Sequence, residues 1–226
     1  VDPLWRRVLE SVVAAVLLAL LSPVFLLVAV AIKLESPGGG VFYRQERVGL
    51  NRRRPDPGIR TASGAGAITV EDRRERRSRP SEGKPFRICK FRTMVPDAES
   101  RTGPVWAVHD DPRVTRVGWV LRKTRLDEIP QLLNVIRGEM RLVGPRPERP
   151  HFVDQLVEGV PDYRRRLSVP PGITGLAQVE RAYDEDLDDV RTKLRYDLFY
   201  IENRKPILDV KILFKTLSVV FGRRGR

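Results

Sequence analysis

The sequence predicts an α/β chain, mostly helical with a few short strands, in which an apolar N-terminal segment precedes a polar, basic remainder. Three observations carry that reading. No charged residue occurs from Ser11 to Ile32, a stretch of 22 residues, against the ~20 that span a bilayer core as a helix. Beyond it, apolar residues recur at helical spacing in several polar stretches, with short strand-like runs between them. The 226 residues carry a formal net charge of +13 and are 41% hydrophobic. That is enough for a core, and the charge favours an anionic partner: nucleic acid, an acidic membrane surface or a phosphorylated substrate.

The apolar segment reads LLALLSPVFLLVAV at 17–30. It is too long for a signal-peptide core and lacks a small-residue cleavage site before Lys33. Pro23 removes a backbone hydrogen bond, and Ser22 can bond back to a carbonyl, so a bend is expected there. Arg6 and Arg7 precede the segment; Lys33, Arg44 and Arg47 follow it. A straight span would put one basic flank outside, against the positive-inside rule. A helix–break–helix entering and leaving by one face satisfies both flanks. On the residues alone, spanning and re-entrant readings both stand.

Ser36-Pro37-Gly38-Gly39-Gly40 ends the helix, and VFYRQ follows as a short strand. Residues 51–80 hold nine arginines against four acids and no apolar period. They read as a surface insertion at about 51–83, either solvated or lying on anionic lipid. KPFRICKFRTM, residues 84–94, suggests a strand with a basic face. Cys89 lies within it; as the one cysteine it excludes an intramolecular disulfide and reads as a small core residue in a reducing compartment. A helical stretch is expected from about Val117 to Arg137 with a break near Arg125, then a rigid loop at RLVGPRPE. Residues 151–168 read as helix, and PPGITGLAQV as loop then strand. DEDLDDVRTKLRYDLFYIEN is a helix with acids first and bases later. In the amphipathic tail, Lys211, Lys215, Arg223 and Arg224 frame Ile212, Leu213, Leu217 and Val220. Core packing is the expectation for that face, with membrane contact as its competitor. The chain begins at Val1, so an upstream domain stays open.

The chemistry concentrates in LRKTRLDEIPQLLNVIRGEM, residues 121–140. Asp127 and Glu128 are adjacent at a helix start, with Arg122, Lys123 and Arg125 just before. Such a pair can simply cap a helix. Alternatively, one carboxylate can attack phosphorus, its neighbour can hold Mg²⁺, and the guanidinium groups can bind phosphate oxygens. The acidic run Asp184, Glu185, Asp186, Asp188 and Asp189 opens a helix and reads as capping. His109 and His151 lack the company of a zinc site. No Walker, Rossmann, zinc-finger or RNA-binding pattern occurs, so nucleic acid is not expected as a partner.

KFRTM at 90–94, LDEIPQLLNVIRGEMRLVGPRPE at 126–148 and PGITGLAQV at 171–179 resemble the bacterial sugar transferase family, the monotopic polyprenol-phosphate phosphoglycosyl transferases. LRYDLFYIEN, LDVKIL and the Ser-Pro break fit as well. The motifs cover nearly the whole chain outside about 51–83. The resemblance implies a re-entrant membrane hairpin at 1–35 with Ser22 and Pro23 at its apex. A catalytic domain at 36–226 would then lie on the cytoplasmic face of a bacterial inner membrane. The implied reaction moves a sugar-1-phosphate from a UDP-sugar to undecaprenyl phosphate, releases UMP, and starts exopolysaccharide or glycoconjugate assembly. On the family's pattern Asp127 is the nucleophile and Glu128 binds Mg²⁺. Lys90 and Arg122 are basic residues of the active site. Pro145, Arg146 and Pro147 lie near the nucleotide, and Asp209 orients a base.

Where many members carry Asn-Gly-Arg after AQV, this chain has Glu180-Arg181-Ala182-Tyr183. Arg181 is the candidate replacement, and glucose, galactose and acetamido sugars all remain open. Anionic membrane lipid is a further expected partner, and a homodimer is left open. The competing reading is a basic, membrane-attached scaffold, which explains the charge but not the ordered carboxylates and Pro-Arg-Pro loop.

Overall fold

The computed structural model describes residues 3–51, 83–98, 111–180 and 187–221. The Arg-rich segment, apart from its end residues, lies outside them. So do His109, Arg181, Asp184, Glu185, Asp186, Arg223 and Arg224.

Helix α1 (Leu4–Leu20) meets α2 (Ser22–Glu35) at Leu21, and the two are bent by 59°. Pro23 has no N–H to offer Ala19 O, and Ser22 Oγ donates to that carbonyl instead, at 2.8 Å. No single helix among the described residues is long and apolar enough to cross a membrane. The inner faces of the pair pack on the rest of the chain. Ala14 joins Phe86, Ile88, Leu132, Val135 and Met140; Val28 and Ile32 join Phe91 and Leu121. Trp5, Val12, Val16, Leu20, Leu26 and Leu27 stay exposed.

Strands β1 (Phe42–Val48) and β2 (Pro85–Phe91) pair antiparallel, with Tyr43 opposite Lys90. Helix α3 (Arg116–Thr124) is capped by Thr115, whose Oγ1 accepts from Gly118 N at 2.9 Å. A side chain at Gly118 would overlap Thr93 O, so glycine is what lets α3 lie against the end of β2. The helical stretch expected from Val117 to Arg137 exists in three pieces: α3, a 3₁₀ turn at Leu126–Gln131, and α4 (Leu132–Ile136). The break falls at Arg125.

Three local expectations need correction. RLV is not loop but strand β3 (Arg141–Val143), paired parallel with β4 (Gly172–Thr174). AQV is not strand: it lies in helix α6 (Leu176–Glu180), which brings Leu176 and Val179 together onto Val143, Tyr200 and Ile212. The single helix expected at 151–168 is α5 (Pro150–Gly159) followed by a 3₁₀ turn at Tyr163–Ser168. Gly159, Pro161 and a left-handed Asp162 (φ 63°) separate them. Val153, Leu156, Tyr163 and Leu167 then pack with Val48, Val190 and Leu194.

Helices α7 (Leu187–Glu202) and α8 (Pro206–Phe221) close the described chain. Asp188 and Asp189 stand in the first turn of α7. The tail divides its apolar residues: Ile212 is buried, whereas Leu213 and Leu217 are exposed beside Ile207 and Phe214.

Candidate active site

Strand β2 supplies one wall. Its apolar residues Phe86, Ile88 and Phe91 face two separate cores, which leaves Lys90 between them. Asn134 fixes the strand from α4: its Oδ1 accepts from Cys89 N at 3.1 Å and its Nδ2 donates to Arg87 O at 2.8 Å. An amide thus stands where a third strand would pair. Sequence reasoning passed over Asn134; a lone asparagine in LLNVI was the available signal. Cys89 itself is buried, as expected, and burial pushes its thiol pKa up.

The opposite wall is the 3₁₀ turn. Arg125 ends α3 in the left-handed region, φ 55° and ψ 17°. The chain is thereby thrown into a short tight turn that starts with Leu126, Asp127 and Glu128. Leu126 and Ile129 go to the cores, and the two carboxylates turn toward β2. Both are only 8% exposed. They stand in the first turn, and the residue before it, Arg125, makes no side-chain cap bond.

The cations treat the two acids unequally. Glu128 Oε1 is 2.9 Å from Lys90 Nζ and 2.6 Å from Arg146 Nη2. Its Oε2 is 3.4 Å from Arg146 Nη1 and 3.9 Å from Arg125 Nη1. Asp127 has Lys90 at 4.0 Å, and its carboxylate accepts no hydrogen bond from a described residue. Burial alone would raise the Glu128 pKa, but Arg146 and Lys90 overcome it and hold the group well below the usual carboxylate range. At Asp127 burial prevails over Lys90, and the pKa is raised. Burial likewise lowers the ammonium of Lys90, against the pull of Glu128.

Arg122 stands on α3 with its Nε donating to Thr93 Oγ1 at 3.0 Å. It lies within electrostatic reach of Asp127 and favours the ionised form. Arg146 arrives on the loop after β3, between Pro145 and Pro147. The structure therefore brings Lys90, Arg122, Arg146, Asp127 and Glu128 together. Asp209 belongs to a separate cluster: it pairs with Arg6 and accepts from Tyr200 Oη at 2.8 Å. Arg181 lies outside the described residues. Ser22 and Pro23 are at the helix break, as described above.

The chain matches the family model for bacterial sugar transferases over residues 1–55 and 62–223. It belongs to the bacterial sugar transferase family. The match takes in most of the Arg-rich segment, so the likeness is wider than the motifs alone indicate. Among curated bacterial sugar transferase relatives, a UDP-N-acetylgalactosamine-undecaprenyl-phosphate N-acetylgalactosaminephosphotransferase of Aeromonas hydrophila is 41% identical, covering 97% of this chain and 45% of that protein. A UDP-glucose:undecaprenyl-phosphate glucose-1-phosphate transferase of Caulobacter vibrioides is 40% identical over 94% of this chain and 68% of its own length. An exopolysaccharide production protein of Rhizobium meliloti is 34% identical, over 97% and 87%. The chain thus spans less than half of the Aeromonas protein and about two thirds of the Caulobacter protein.

Proposed function

We propose that this bacterial sugar transferase moves a sugar-1-phosphate from a UDP-sugar to undecaprenyl phosphate through a phosphosugar bound to Asp127. The unequal pairing of two adjacent buried carboxylates carries the reading. Glu128 is clamped by two cations at hydrogen-bond distance, whereas Asp127 has only Lys90, at 4.0 Å, as an ion-pair partner among the described residues. A carboxylate that accepts no hydrogen bond from a described residue, in the field of Lys90, Arg146 and Arg122, is suited to attack an electrophile that is itself anionic.

The Asp127 oxygen attacks the sugar-bearing phosphorus. The bond from that phosphorus to the oxygen bridging it to UMP breaks, and UMP leaves with the electron pair. An oxygen of the lipid phosphate then attacks the same phosphorus and frees the Asp127 carboxylate. Lys90 and Arg146 screen the charge that gathers on the phosphoryl oxygens and the departing UMP. The Aeromonas and Caulobacter relatives differ in sugar, N-acetylgalactosamine against glucose, and share the UDP-sugar class.

Among the described residues no group of three or more His, Cys, Asp or Glu forms a metal cluster. Mg²⁺ does not require one, since it commonly takes one or two carboxylates and completes its shell with substrate phosphates and water. Asp127 and Glu128 are the right hard-oxygen donors, and Glu128 would be its ligand. When bound, Mg²⁺ would neutralise diphosphate charge.

The helix pair supports a re-entrant hairpin, with 1–35 as the membrane part and 36–226 as the cytoplasmic part. Its two ends are fastened to the same body. Near the start, Arg6 pairs with Asp209, and Glu10 Oε2 accepts from Leu142 N at 3.1 Å. At the end, Glu35 accepts from Arg116 N at 2.8 Å and Val117 N at 2.9 Å. A body on one face of the bilayer can hold both ends only if the chain turns back. The same geometry would set the site at the depth of a lipid phosphate. The exposed apolar faces of α1, α2 and α8 are suited to lipid, and the net positive charge to anionic headgroups.

The test is a lipid-free reaction. The full chain given UDP-sugar and Mg²⁺ should release at most one UMP per site and then stall. Intact-protein mass spectrometry should place the phosphosugar on Asp127, and Asp127→Asn should form none. An adduct on another residue, or intersecting rather than parallel kinetic lines, would overturn the mechanism.

A further inference from the structure

The loop that carries Arg146 is held from behind. Every backbone carbonyl from Pro145 to Glu148 accepts a hydrogen bond from elsewhere in the chain. Gly172 N donates to Pro145 O at 2.9 Å, and Val48 N donates to Glu148 O at 2.9 Å. Between them, Arg166 Nη2 donates to Arg146 O at 3.0 Å and Arg47 Nη1 to Pro147 O at 3.1 Å. Both central donors are guanidinium groups, that of Arg166 buried and that of Arg47 half-buried. Arg166 is anchored by Tyr163 Oη at 2.5 Å and by Asp197 Oδ2 at 2.8 Å, where Asp197 is itself only 3% exposed. Arg47 is anchored by Gln45 Oε1 at 2.5 Å and Glu148 Oε2 at 3.3 Å.

Stability does not account for this arrangement. A buried ion pair gives back in desolvation most of what it gains, and apolar residues of like volume serve as well. An apolar residue, however, could not reach a carbonyl. The guanidinium groups sit on two consecutive carbonyls, those of Arg146 and of Pro147. The Arg146 side chain, leaving from that same backbone, makes the 2.6 Å contact to Glu128. Among the described residues neither Arg47 nor Arg166 pairs with Asp127 or Glu128.

We propose that Arg166 and Arg47 are positioning residues, which fix the Arg146–Pro147 backbone so that the Arg146 guanidinium stays on Glu128. Asp197 and Tyr163 hold Arg166 in place from the far side. The inference rests on the reaction proposed above. Its physical content is preorganisation: a charged group displaced by about 1 Å costs on the order of 10²-fold in rate.

A double-mutant cycle tests it. Arg166→Lys keeps a positive charge beside Asp197, but a single ammonium lacks the planar fork that reaches Tyr163, Asp197 and Arg146 O together. It should slow the single-turnover release of UMP by about 10-fold. Combined with Arg146→Gln, it should lose no more than Arg146→Gln alone, because Arg166 acts only through Arg146. Additive losses, or wild-type rates in Arg166→Lys, would overturn the proposal. If Arg166→Lys is insoluble, Arg47→Lys carries the same cycle from the other carbonyl, with the same two outcomes. A second readout needs no turnover. In ¹⁵N-arginine-labelled chain, the Nε resonance of Arg146, assigned through Arg146→Gln, should lose order when Arg166 becomes Lys. Unchanged order would sink the clamp. If wild type releases no UMP from any UDP-sugar, the reaction has failed, and the order of Arg146 alone decides whether the clamp exists.

Discussion

Leu21 and Arg125 each end one helix and begin another, yet the two breaks are made differently. At Leu21 the backbone stays right-handed, φ −88°. The bond that Pro23 cannot make is replaced by Ser22 Oγ on Ala19 O. At Arg125 a non-glycine residue sits at φ 55°, a conformation that costs an L-residue about 1 kcal/mol. Its Nε is buried with no hydrogen-bond partner among the described residues, while its Nη1 points at Glu128 from 3.9 Å. The first break is relaxed and sets the path of an apolar pair. The second is strained, with a donor unsatisfied, and delivers two carboxylates. Of the two breaks, the strained one is where the chemistry is proposed, and the bend of the apolar pair carries none.

If that division is right, damage at the strained break should be read in catalysis. Glu128→Gln removes the charge that Lys90 and Arg146 hold, and the proposed Mg²⁺ ligand with it. Single-turnover UMP release should fall by about 100-fold, with half-saturation shifted to higher Mg²⁺. Chelator should abolish the wild-type reaction. Wild-type turnover and metal dependence in Glu128→Gln would remove the chemical role from this turn.

Damage at the relaxed break should be read in topology. Pro23→Leu restores the N–H and removes the cost, about 3 kcal/mol, that proline would impose inside a straight helix through this point, though not in the first turn of α2 where it now stands. Tags flanking Val8 to Ile32 should both be shielded from periplasmic labelling in the wild type. In Pro23→Leu a fraction of chains should expose one of them. Exposure of one tag in the wild type would show a true span, and two shielded tags in Pro23→Leu would show that the proline does not hold the bend.

The two breaks also differ in how well they could be read beforehand. Pro23 is a local signal, and the bend follows from its missing N–H. A break near Arg125 was also legible. Its left-handed geometry was not, because nothing in the side chain demands it. The carboxylates were legible as a pair with basic neighbours. Their unequal pairing was not: the partners of Glu128 are Lys90, 38 residues away, and Arg146, 18 residues away. The same holds for Arg166 and Asp197, which meet across 31 residues. The β3–β4 pair escaped for a related reason. Three-residue strands carry no alternation of their own, and their pairing depends on a close approach at Gly172, where a side chain would meet Gly144 N.

The smallest effect gives the sharpest comparison, because it measures the strain itself. Replacing Arg125 by Gly and by Ala removes the same guanidinium, so the catalytic losses should match, at a few-fold each for one distant cation among several. The stabilities should differ. At φ 55° alanine bears the left-handed cost and glycine does not, so Arg125→Gly should be the more stable by about 1 kcal/mol. For a chain of this size that is roughly 2–4 °C in thermal midpoint, measured in detergent. At Leu21, where φ is right-handed, the order should invert. Leu21→Ala should exceed Leu21→Gly by about 1 kcal/mol, as at ordinary helical positions. Both replacements there discard the same packing, which cancels from the difference. Gly above Ala at 125 and Ala above Gly at 21 would establish that one break is strained and the other relaxed. Ala above Gly at both positions would mean that Arg125 carries no strain, and the contrast between the two breaks would be lost.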